Sequence, residues 1–139
     1  MTTFAPAVPP ASVKHMEQTE WARARSYSPA VETVGGRTIY LSGQTCDTDL
    51  DGKDISGNFE AQARTIFKLL DRTLQKAGGS LANMVTMTVF IKDVRDGNRF
   101  VDLRREFFED GKFPCSALLT ISCFARPGSV IEIQGIAVI

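Results

Sequence analysis

The sequence predicts an α+β domain, a mixed β-sheet with two helices on one of its faces. Two patterns carry that expectation. Apolar residues recur every three or four positions in two segments, and they alternate one by one in about five others. Two helices beside five strands cover one face of a sheet and leave the other open. With 139 residues, 43% of them hydrophobic and 23% charged, the chain has the length and composition of one globular domain.

Residues 1–12 hold three of the six prolines, Pro6, Pro9 and Pro10, and show no periodicity. They are expected to form a flexible N-terminal tail ahead of a single domain spanning 13–139. Two short β-prone runs follow, Ala30–Val34 and Arg37–Ser42, joined by Gly35-Gly36. Paired glycines supply the positive φ of a tight turn, so a hairpin is expected. Asp47–Gly57, with four aspartates and two glycines, reads as a solvated loop, because it lacks the ligand spacing and closing glutamate of an EF-hand.

The period changes at Asn58. Phe59, Ala63, Ile66, Phe67, Leu70, Leu74 and Ala77 form one helical face, with Asn58 as cap and Gly78-Gly79 as terminator. The other face carries Arg64, Lys68, Arg72 and Lys76, a solvated basic stripe. Met84–Lys92 alternates as a strand. Asp96–Asp110 returns to the helical period through Phe100, Leu103 and Phe107, with Val101 and Phe108 flanking, and Gly111 ends it. Ser116–Phe124 and Ser129–Val138 are two further strands around Arg126-Pro127-Gly128. The expected order is ββαβαββ.

Charge and length exclude several function classes. Sixteen basic and sixteen acidic residues leave no surplus to neutralise phosphates, which disfavours a nucleic-acid partner. The apolar runs are far shorter than the ~20 residues of a membrane-spanning helix, and the N-terminus lacks the basic and apolar regions of a signal peptide. Three cysteines, Cys46, Cys115 and Cys123, cannot all pair within one chain, so reduced thiols and a cytoplasmic location are expected. A single histidine, His15, argues against a metal site or a Ser-His-Asp triad.

In the last strand Ile131, Ile133, Ala137 and Ile139 point one way, and Val130, Ile136 and Val138 the other. Both faces are apolar, whereas the helices cover one. Another subunit is the simplest cover, so an oligomer is expected. Glu132 interrupts this strand on the uncovered face. A carboxylate there is either an ion-pair partner or an acid/base group with a displaced pKa.

Several segments, taken in order, resemble one family. They are Tyr40-Leu41-Ser42-Gly43-Gln44, Ala61-Gln62-Ala63, Ala77-Gly78, Val89-Phe90-Ile91-Lys92-Asp93, Phe113-Pro114 and Val130–Ala137. The sequence from about Tyr27 onward is similar to the reactive intermediate deaminase (Rid/YjgF) family, also called endoribonuclease L-PSP. The resemblance implies a chorismate-mutase-like fold and a homotrimer with a cleft at each of its three subunit boundaries. It also implies hydrolysis of small enamines and imines to ammonia and a keto acid, with no metal or organic cofactor. Glu132 would be the acid/base that positions and deprotonates water. Ser42 and Tyr27 would line the cleft, with Gly43 supplying backbone polar groups.

Two departures bear on substrate. After Phe113-Pro114, Cys115 stands where the deaminating members carry alanine, and Ser116 where they carry the arginine that grips the substrate carboxylate. A serine hydroxyl does not replace a bidentate guanidinium, so activity on 2-imino acids is expected to be weak. In the second helix, Val101 and Arg104 replace an asparagine and a tyrosine. Arg25 is the candidate to take over, because an extended Trp21–Tyr27 would put Arg23, Arg25 and Tyr27 on one side. Arg126, in a turn, is the weaker candidate. The alternative is a trimeric small-molecule binding protein without turnover. A ribonuclease ranks last, for want of a basic surplus and of a histidine in the matching region.

Overall fold

The computed structural model describes residues 8–139. In chain order it contains β1 (Ser12–Met16), α1 (Glu20–Ala24), β2 (Ala30–Val34), β3 (Thr38–Gln44) and α2 (Phe59–Lys76). β4 (Met84–Ile91), α3 (Gly97–Arg105), β5 (Cys115–Thr120) and β6 (Ile131–Val138) complete it. Single 3-10 turns at Leu81–Asn83 and Val94–Asp96 lead into β4 and α3. The architecture is α+β, as expected, with one strand and one short helix more at the front than ββαβαββ allows. Among the described residues no helix is long and apolar enough to cross a membrane.

Four strands form the main sheet in the order β3-β6-β4-β5, and β1 and β2 form a separate antiparallel pair. β6 runs antiparallel to both neighbours, while β4 and β5 are parallel and joined through α3. A parallel pair needs such a crossover. α2 starts at Asn58, whose side chain accepts from Ala61 N, and it ends before Gly78 at φ +93°. Its apolar face, with Ile66, Phe67, Leu70 and Leu74 buried, packs with Phe100 and Leu103 of α3 on Met87, Val89, Ile91, Ile131, Ile133 and Ala137. Phe67 stacks on Phe100 and on Phe107, with ring centroids 6.0 and 4.7 Å apart.

The hairpin expected at Gly35-Gly36 does not form. Both glycines have positive φ, +71° and +74°, but β2 pairs with β1, from Ser12↔Val34 to Met16↔Ala30. The turn hands the chain from one sheet to the other, and Arg37 exchanges both backbone hydrogen bonds with Ile139. A turn between sheets needs the same positive φ as a hairpin, so the glycines alone do not distinguish them. Of the tail expected over 1–12, residues 1–7 lie outside the described residues. Pro9 O accepts from Gly36 N, and Ser12 opens β1. The second helix is shorter than expected: α3 ends at Arg105, and Phe107 and Phe108 reach the core from the turn beyond it.

Gln62 joins the first turns of α2 to the loops around them. Fully buried, its amide donates to Ile55 O (2.9 Å) and Gly128 O (2.8 Å) and accepts from Val130 N (2.9 Å). These partners belong to the aspartate-rich loop, the turn before β6 and the entry to β6. Cys46 lies beside the same turn, its Sγ 3.5 Å from Gln62 O.

Gln62→Leu removes all three bonds while roughly keeping volume; Val130 N loses its acceptor, whereas Ile55 O and Gly128 O keep Asn58 N and Gly57 N as donors. The expected loss is about 1–3 kcal/mol, read as a lower urea midpoint at unchanged slope. A midpoint equal to wild type would show that the amide carries no such role. The thiols give a second test. Burial, with Asp47 adding, pushes the Cys46 thiol up to about 11, whereas Cys123 is exposed. Because the thiolate is the attacking species, iodoacetamide at pH 8 should label Cys123 well before Cys46, as followed by peptide mass.

Candidate active site

Strand alternation sorts the chemistry-bearing residues onto two sides of one sheet. In β6, Ile131, Ile133, Gly135 and Ala137 are buried beneath the helices, so Glu132, Gln134 and Ile136 face the open side. Glu132 lies opposite Phe90 of β4. β3 shifts register between Leu41 and Gln44, and the bulged segment, Ser42-Gly43, brings Gly43 against Glu132. A Cβ on Gly43 would lie 2.6 Å from Glu132 Oε1 and 3.0 Å from Cδ. Only glycine lets this backbone lie against the carboxylate. On the same open face Tyr40, Thr86, Thr88, Gln134 and Ile136 border a depression of about 270 Å³, and Tyr40 is 78% exposed.

Ser116 is on the other side. β5 pairs with β4 in the register Met87↔Ser116, so Ser116 and Leu118 share the helix-covered face with Met87 and Val89. They line a pocket of about 160 Å³ with Trp21, Arg25, Tyr27, Val101 and Arg104. Cys115, one position away, turns to the open face opposite Thr86. The candidate residues therefore form two groups in one protomer. Glu132 and Gly43 meet on the open face, with the exposed Ser42 beside Gly43 in the chain, and Tyr27, Arg25 and Ser116 meet under α3.

The extended segment expected from Trp21 to Tyr27 is helical through Ala24 instead. Thr19 Oγ1 accepts from Ala22 N at 3.0 Å and starts α1. Arg25 still reaches the pocket as the C-cap residue, and its Nη1 donates to Asn98 Oδ1 (2.8 Å). Arg126 pairs with Asp47 at 2.7 Å in the turn before β6, away from either group.

The residue that sequence reasoning passes over is Arg104, which stands out there only as a departure in the second helix. It is 2% exposed, and one turn of α3 places its guanidinium over Phe100, 5.0 Å from the ring centroid. Nε donates to Ser26 Oγ (3.1 Å), Nη1 to Ser116 Oγ (2.5 Å) and Nη2 to Arg25 O (3.2 Å). Ser26, fully buried, adopts φ +55° just after α1 and donates its own hydroxyl to Val101 O. A non-glycine residue held in the left-handed region costs ~1–2 kcal/mol, and here it aims two acceptors at one guanidinium. Burial pushes Arg104 down to about 10, and the Arg25 and Arg105 cations act in the same direction. It remains charged at neutral pH. The spacing Phe100, Leu103, Arg104 is the available signal, since it puts the arginine on the apolar side of its helix.

Comparison with known proteins follows the same lines. The family model described as endoribonuclease L-PSP matches residues 17–139. The human 2-iminobutanoate/2-iminopropanoate deaminase is 32% identical over 112 residues, covering 81% of this chain and 79% of that protein. The structure of RidA from an Antarctic Psychrobacter has a TM-score of 0.67 at 27% identity, covering 83% of this chain and 95% of that one. A Rid-family protein from Yersinia pestis has a TM-score of 0.79 at 21% identity, over 93% and 98% of the two chains, and shares the fold. Fold, motifs and relatives agree: the chain belongs to the endoribonuclease L-PSP family, the Rid/YjgF family that its own segments resemble.

Proposed function

We propose that the protein hydrolyses small imines or enamines to ammonia and a carbonyl compound, at sites assembled between copies of the chain. The relatives named as 2-iminobutanoate/2-iminopropanoate deaminases support the reaction class. The observation that carries the reading is the Glu132 carboxylate lying against the side-chain-free backbone of Gly43 on the open sheet face. In the reaction, water adds to the electrophilic imine carbon as its C=N π electrons move to nitrogen. Glu132 takes a proton from that water and then delivers it to the nitrogen of the resulting carbinolamine. The carbinolamine hydroxyl then gives up its proton, carried by Glu132 to the amine nitrogen, and as the C–N bond breaks ammonia leaves and the carbonyl forms. Overall, one imine and one water give one carbonyl compound and one ammonia. The exposed Ser42 hydroxyl and the Gly43 backbone offer hydrogen bonds to substrate and water.

The opposite placement of Glu132 and Ser116 supports an oligomer. One protomer cannot bring them to the same small molecule through a packed sheet, whereas a neighbouring copy seated on the open face can. The open face also leaves Tyr40 and Ile136 uncovered in a single chain. A homotrimer with inter-subunit clefts satisfies both. A binding protein without turnover would use the same clefts, and the serine at position 116 is the observation that favours it.

Glu132→Gln should lower ammonia release from freshly generated imines by about 100- to 10,000-fold, with an unchanged melting curve. Undiminished release in that variant would remove Glu132 from the chemistry. Gly43→Ala should push the Glu132 carboxylate aside and reduce kcat at least about tenfold while costing less than ~1 kcal/mol of stability. Multi-angle light scattering should give three times the chain mass at micromolar concentration. A monomer would sink the inter-subunit site.

A further inference from the structure

We propose that Arg104 is the group that binds a substrate carboxylate in this protein, its guanidinium presented from α3 beside Ser116. The inference rests on the imine-hydrolase reading and names the substrate class within it, imines that carry a carboxylate next to the reacting carbon. Four observations converge on Arg104. It is 2% exposed, yet among the described residues neither it nor its neighbours Arg25 and Arg105 forms an ion pair. Buried charges are ordinarily paired, so a buried guanidinium without an anionic partner is suited to receive one.

Second, its hydrogen bonding is incomplete in a particular way. A guanidinium has five N–H donors, and Ser26, Ser116 and Arg25 O take three. One donor remains on each terminal nitrogen, the number that a bidentate carboxylate accepts. Third, the guanidinium borders a pocket of about 160 Å³, enough for a small aliphatic acid, and Trp21, Val101 and Leu118 give it an apolar wall. Fourth, Arg25 lines the same pocket, so a second cation adds to the field that an anion meets.

The arrangement also explains what Ser116 does. Its hydroxyl accepts from Arg104 and holds the guanidinium at the strand, in a space that a longer side chain at 116 would fill. The positive charge reaches this place from a helix rather than from the strand. Activity on 2-imino acids, expected to be weak from Ser116 alone, is then retained.

Trp21, the only tryptophan of the chain, lines the pocket and reports binding without turnover. The test titrates the intact protein with 2-oxobutanoate and with butanone, which lacks the carboxylate, and follows Trp21 fluorescence. A saturable change with 2-oxobutanoate and none with butanone is expected. Arg104→Gln should weaken 2-oxobutanoate binding by about 10- to 150-fold, and Arg104→Lys should recover part of it. Equal response to both ligands, or no response to either, overturns the proposal and needs no variant to be stable. So does loss of binding in Arg25→Gln with Arg104→Gln unaffected, which would give the carboxylate to Arg25. Ammonia release measured in parallel separates the two readings. Arg104-dependent binding in a protein that releases no ammonia from any imine supports this inference and removes the hydrolase. Release with an unchanged KM in Arg104→Gln does the reverse.

Discussion

The hydrogen bonds of the Gln62 amide set the position from which β6 begins, and much else follows from that strand. One side chain inside α2 closes two carbonyls and one N–H from three separate segments. Without it, Val130 N would lose its acceptor, and Ile55 O and Gly128 O would each keep one donor of two, Asn58 N and Gly57 N. With it, Val130 is fixed two residues ahead of Glu132. β6 then pairs on both sides, with β3 and with β4, and the alternation of its side chains is locked. A slip of one residue would turn Glu132 under the helices and expose Ile133.

That locked alternation divides the chemistry of the chain between two faces. The carboxylate able to handle protons lies on the open face, and the cationic pocket lies beneath α3. Each half is locally complete. Gly43 makes room for Glu132, while Phe100, Ser26 and Ser116 hold Arg104. In the proposed assembly the division gives oligomerisation a chemical purpose in addition to covering apolar surface, because the two halves would serve one reaction only where two chains meet.

How much of this can be read in the sequence depends on the range of the interactions involved. α2 is legible because eighteen residues of one period, a capping asparagine and a terminating glycine all lie within the segment itself. Glu132 is legible because a charge in an apolar strand stands out against its immediate neighbours. α1 is missed because five residues, Glu20–Ala24, are too few to show a period, and its capping by Thr19 is visible only in three dimensions. β1, Ser-Val-Lys-His-Met, has only half-buried and exposed positions, so it carries little alternation to detect. The pairing of β2 with β1 in place of β3 is hidden because Gly35-Gly36 fits either turn. Arg104 is visible as an unusual residue and not as a site, since the atoms that hold it come from Arg25 and Ser26, 79 and 78 positions away.

The central position of β6 also bears on how the chain acquires its structure as it is synthesised. β3 and β4 are both made before the strand that separates them, and Thr38 finds its partner only at Val138. Until that stretch has left the ribosome, β3 has no partner in its sheet, and α2 and α3 have only part of the surface they cover. Pairings this distant along the chain carry a high loop-closure cost and slow folding. From the completion of α2 until β6 is made, the nascent protein therefore carries apolar helix faces without their full cover, the state in which a holding chaperone has the most to bind.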